Sequence, residues 1–109
     1  MLFAAKYRPR KGRTDAESRR VRAVLMKWAP PEGVVVKQHY HYISGGGVVI
    51  FEAESPGDIY EAMEPFRFAV GFDIEPVINL LEAVAISMDM EEWAASTVAD
   101  APAPAAKQD

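Results

Sequence analysis

The chain has no cysteine and only two histidines among its 109 residues. Disulfides, thiolate nucleophiles and cysteine-based zinc sites are therefore excluded from the outset. No stretch approaches the roughly 20 consecutive apolar residues that cross a bilayer. The opening segment "MLFAAKYRPRKGR" has too short an apolar run for a secretory signal. A soluble, cytoplasmic protein with no membrane partner is the expectation. No phosphate-cradling loop is present, because "SGGG" lacks both the glycine spacing and the lysine such loops use.

What is present is one core's worth of apolar residues, 50% of the chain. Net charge is −4, unevenly placed: residues 1–27 carry nine basic side chains against Asp15 and Glu17, a net +7 that leaves −11 for the rest. Such asymmetry suits an anionic partner or a basic face meeting an acidic one. A solvated helix face explains it equally well, and nucleic acid is disfavoured as a partner.

Hydrophobic periodicity and breakers predict the order of elements. Residues 2–8 read as a strand, and Thr14 or Asp15 caps a helix carrying Val21, Val24, Leu25 and Trp28 on one face. "APPEG" stops that helix. Residues 34–43 and 48–54, joined through "SGGG", read as an antiparallel hairpin. Ser55 caps a second helix with Pro56 in its first turn, and residues 71–78 form a strand that Pro76 assigns to an edge. Residues 79–96 are helical and the tail from 97 to 109 is disordered by composition. The sum is a ferredoxin-like α+β domain over residues 1–96: βαββαβ, a four-stranded antiparallel sheet with two helices on one face, and an extra C-terminal helix.

The helices leave one sheet face bare, and the candidate site is placed there. Strand alternation puts His39 and His41 on one face with Lys37. A hairpin turning at Gly45–Gly46 sets His41 opposite Ile50, His39 opposite Glu52 and Lys37 opposite Glu54. On this register both histidines share a face with Glu52 and Glu54, so a histidine–glutamate pair is the acid–base candidate, and His41, Glu52 and His39 are the catalytic candidates. Tyr7, Lys37, Ile50 and Glu54 are candidate ligand-binding groups. Imidazole titrates near neutrality, and an adjacent carboxylate orients it and raises its basicity. The same residues could be a plain surface cluster. His39, His41 and Glu52 could also present two nitrogens and an oxygen to a metal, but the spacing is unspecific, and no metal or cofactor is expected. An RNA-recognition surface would need stacking rings on the bare face, where Gly46 and Val48 fall instead.

With "WAPPEG", "HYHYISGGGVVIFEAES" and "FDIEPVI", the chain resembles a bacterial family of small proteins of uncharacterised function, assigned to the ferredoxin-like dimeric α/β-barrel superfamily. The resemblance spans roughly residues 1–80 and rests on the turn at 30–33, the Tyr40–His41 pair and the Glu52–Glu54 ending. It implies a homodimer whose sheets close face to face around a small apolar or aromatic molecule. It further implies a cofactor-independent isomerase, cyclase or monooxygenase, or a non-catalytic ligand-binding protein on the same fold, with His41 and Glu52 as the positions that carry over.

Overall fold

The structure is a computed structural model in which residues 1–98 are described. Eight elements follow in order: β1 (Leu2–Pro9), α1 (Asp15–Lys27), β2 (Val35–His41), β3 (Gly47–Glu52), α2 (Pro56–Met63), a 3₁₀ turn (Glu64–Phe66), β4 (Val70–Val77) and α3 (Leu80–Thr97). The sheet order is β2-β3-β1-β4, with every neighbouring pair antiparallel. This is the expected ferredoxin-like arrangement. A first compact unit covers Met1–Val77, and a second begins at Ile78. The disorder expected for the tail concerns residues that lie, from 99 onward, outside those described.

Local chemistry explains the element boundaries. The Thr14 side chain accepts from the Glu17 N–H while Glu17 accepts from the Thr14 backbone, a capping box that starts α1. Backbone and side-chain hydrogen bonds from Thr14 hold the Glu17 carboxyl below its usual range. Ser55 caps α2 with Pro56 behind it, at the position where proline's missing N–H costs nothing. Pro76 lies in β4, an edge strand, as its missing donor requires. In the second unit, the Asn79 side chain accepts from the Leu81 N–H at the start of α3. No helix among the described residues is long and apolar enough to cross a membrane.

The core forms where Phe3 and Ala5 of β1 and Val49 and Phe51 of β3 meet Ile59, Ala62 and Met63 of α2. Phe51 and Ile59 are its two largest fully buried side chains. The two helices differ in how they are seated: α2 buries three residues and α1 buries none. Trp28, just past α1, meets the Phe66 ring edge-on at 5.5 Å between centroids.

The β2–β3 register differs from the expected one. Five residues, 42–46, form the loop, closed by the Tyr42 N–H donating to the Gly46 carbonyl at 2.8 Å. Gly45 and Gly46 take positive φ, and a side chain at Gly46 would run into the Tyr7 carbonyl. His41 pairs with Gly47 and His39 with Val49, so paired numbers sum to 88 where a turn at Gly45–Gly46 gives 91. The shift is odd and carries His39 and His41 to the other face, while Val49 and Phe51 stay on the helix side and Ile50 and Glu52 on the outer side as expected. A bulge between Val36 and Gln38 then lets Val36 and His39 share a face.

Truncation should rank these features. Phe51→Ala is expected to cost about 3–5 kcal/mol and Thr14→Ala about 1 kcal/mol. Lys37→Ala, which removes a 3.3 Å ion pair with Glu52 between half-exposed partners, should stay within about 0.5 kcal/mol. Urea unfolding of the three variants measures the order.

Candidate functional site

The histidines share one face, as alternation predicts, but it is the face the helices cover. Both lie across from the inward positions of β3, His39 beside Val49 and His41 beside Gly47. Glu52 is on the opposite side of the sheet, paired with Leu2 and Val35, and its carboxylate meets Lys37. The expected His41–Glu52 pair is therefore not assembled, and Glu52 cannot complete a metal site with His39 and His41. Ile50 shares the outer face with Glu52, and Glu54 is exposed in the turn before α2. Among the described residues no three of His, Asp and Glu cluster in a metal-binding arrangement.

The partner the histidines do have is Tyr7. Its hydroxyl lies 2.7 Å from His39 Nε2 and 3.4 Å from His41 Nδ1. The three rings stand on two different strands, β1 and β2, with β3 between them. Tyr7 pairs with Gly47 across that intervening strand. A Cβ on Gly47 would fall 2.6 Å from Tyr7 Cζ and would also meet the Tyr40 carbonyl. Glycine at 47 is thus what lets the phenol lie flat over β3 and reach β2.

These groups form the polar corner of an apolar cleft. Between α1 and the sheet is a partly open cavity of about 90 Å3. Val21, Leu25 and Trp28 line it from above, with Val49, Phe51 and Phe72 below. Phe72 lies 6.4 Å from the Tyr7 ring between centroids, which gives the corner an aromatic wall. Tyr7 and His39 both line the cavity, and they alone of its twelve lining residues bear a titratable side chain.

Burial, and secondarily Tyr42, pushes the Tyr7 hydroxyl above its ordinary 10.0. Burial, and secondarily the neighbouring His41, pushes His39 below its ordinary 6.5. At neutral pH the phenol keeps its proton and His39 is uncharged. One hydroxyl proton can serve only one ring, so the three groups have two orders: Tyr7 O–H donates to His39 Nε2 while His41 Nδ1–H donates to the oxygen, or both bonds are reversed. Tyr7 and His39 are then a neutral donor–acceptor pair, suited to giving or taking a proton without placing a fixed charge beside apolar walls.

Alternation could place the histidines together, but it could not see the bulge, the loop length or Tyr7's reach. Gly47, Trp28 and Phe72 were missed as site residues. The available signal was a third glycine continuing past the turn into a β-rich run, which marks close approach of another group.

Because His39 is depressed by folding, the unfolded chain takes up the proton first as pH falls. Stability should decline as pH drops through about 6.5, and the loss should level off below the folded value. His39→Gln is expected to remove that part of the decline. Urea midpoints of both proteins between pH 5 and 8 provide the comparison.

Comparison with known proteins agrees with a domain that spans the first unit and reaches into α3. No curated protein matches the chain. Residues 1–91 match a family described as a domain of unknown function, DUF3303. On that match over most of its length, the chain belongs to the DUF3303 family.

Proposed function

We propose that the cleft between α1 and the sheet binds a small, largely apolar, aromatic molecule, and that Tyr7 and His39 move a proton on it. The observation that carries this reading is the 2.7 Å Tyr7–His39 contact at the one polar corner of an otherwise apolar cavity. The reaction class that fits is cofactor-independent isomerisation, cyclisation or oxidation of an aromatic or polyketide-like intermediate. An uncharged acid–base pair beside aromatic walls favours a neutral ligand over an ionic one.

The cavity of about 90 Å3 is smaller than the ~150 Å3 that holds benzene in an engineered protein core. An aromatic ligand therefore needs α1 to yield. That helix is the element able to do so, since none of its side chains is fully buried. Ligand binding and seating of α1 become one event.

The same reading includes a homodimer formed through the outer sheet face. That face carries the half-buried Leu2, Ala4, Val48 and Ile50 beside the exposed Val35 and Tyr40, with no helix of the first unit packed on it. A second copy would bury this strip by a symmetric contact. The site itself would remain within each subunit, between α1 and its own sheet.

Native mass spectrometry of the purified protein against a panel of neutral aromatics tests both parts, reading bound ligand and dimer mass together. Val21→Phe, which fills the cleft from its roof, is expected to weaken binding roughly tenfold, ~1.4 kcal/mol. His39→Ala should keep binding within a few-fold and lower conversion by about 10²–10⁴. Unchanged conversion would leave a binding protein without chemistry, and binding that ignores Val21→Phe would remove the cleft.

A further inference from the structure

His41 has no place in the cleft lining, yet it shares the Tyr7 oxygen with His39. Like His39 it is exposed, and it stands at the end of β2 where the five-residue loop begins. We infer that His39, Tyr7 and His41 form a proton path joining the cleft to solvent, with His41 as its outer terminus. What proton enters at the inner end rests on the proposed function; the path itself rests on the contacts of three side chains.

The path works by reversing the order of its hydrogen bonds. In the first of the two orders, His41 Nδ1–H donates to the Tyr7 oxygen and the Tyr7 hydroxyl donates to His39 Nε2. To protonate a ligand, His39 gives up its Nδ1 proton and takes the hydroxyl proton on Nε2. Tyr7 then takes the Nδ1 proton of His41, and His41 takes one at Nε2 from water or a buffer acid. The ligand has gained one proton, the solvent has lost one, and all three side chains are neutral again with each bond reversed. The opposite sequence removes a proton from the ligand and restores the first order. An isomerisation, which needs one proton taken and one returned, uses both.

Two features of the site suit this role. The phenol bridges an imidazole that lines the cleft, His39, and one that does not, His41. The bridge also exists only because Gly47 leaves room above β3. No charged group competes for it: α1 presents Val21, Leu25 and Trp28 to the cleft, β3 presents Val49 and Phe51, and β4 presents Phe72. Tyr42 and His41 are the titratable neighbours that act on Tyr7 and His39.

The test needs no ligand and so can fail independently of the proposed function. In ¹⁵N-labelled full-length protein, the His39 Nε2 resonance is followed by NMR as pH is varied. While His41 is neutral the chain exchanges between its two orders; a protonated His41 can only donate to Tyr7, which turns the hydroxyl toward His39 and holds His39 in its Nδ1–H form. The His39 Nε2 shift should therefore show two steps, one at its own titration and one at that of His41. In Tyr7→Phe the second step should shrink to the residual that the charge of His41 exerts through space. Gly47→Ala, which displaces the phenol but keeps all three side chains, should do the same. A single step in the wild type would overturn the path. A second step of undiminished size in Tyr7→Phe would also overturn it, since all of the coupling would then be charge acting through space.

Discussion

One side chain that is missing holds this site together. Tyr7 belongs to β1 and the histidines to β2, and antiparallel neighbours in this sheet place β3 between them. Across that gap the phenol must cross the inner surface of β3 almost in contact with its backbone. Only at Gly47 is there no Cβ to obstruct it. The short contact to His39, the longer one to His41 and the apolar floor of the cleft all follow from that clearance.

The rest of the domain divides stability from access. Core packing is concentrated between the middle of the sheet and α2, where Phe51 and Ile59 are fully buried. On the α1 side the same sheet face meets a helix held by its capping box, its Trp28–Phe66 contact and half-buried apolar side chains. A cavity left in a well-packed core would cost stability for no return. Here it opens beside α1, a helix with nothing fully buried, where local movement is cheap. The polar corner sits at the edge of this space, so its groups are partly desolvated and still reach water. That explains why burial leads the causes shifting both Tyr7 and His39 toward their neutral forms.

The face assignment shows how far a linear pattern carries. Period-2 alternation correctly joined His39 to His41, because no irregularity falls between them. It separated both from Val36, because the bulge at Val36/Gln38 adds a residue that the pattern does not reveal. It set them beside Glu52 because a turn centred on Gly45–Gly46 differs by three in register from the five-residue loop that forms. Both errors concern the spatial consequence of one or two residues of backbone. The carboxylate that seemed a catalytic partner instead meets Lys37 on the outer face.

From the residues alone came the order of elements, the caps at Thr14 and Ser55, the edge position of Pro76 and the ferredoxin-like arrangement. These depend on local propensity, hydrophobic period and the missing donor of proline, all of which act within a few residues. The tertiary structure alone decided which side of the sheet the histidines occupy and that Tyr7, rather than Glu52, is their partner. That outcome depends on pairing between strands far apart in the chain. There one residue more or less in a loop moves a side chain from one face to the other, and a glycine on a third strand determines who can meet.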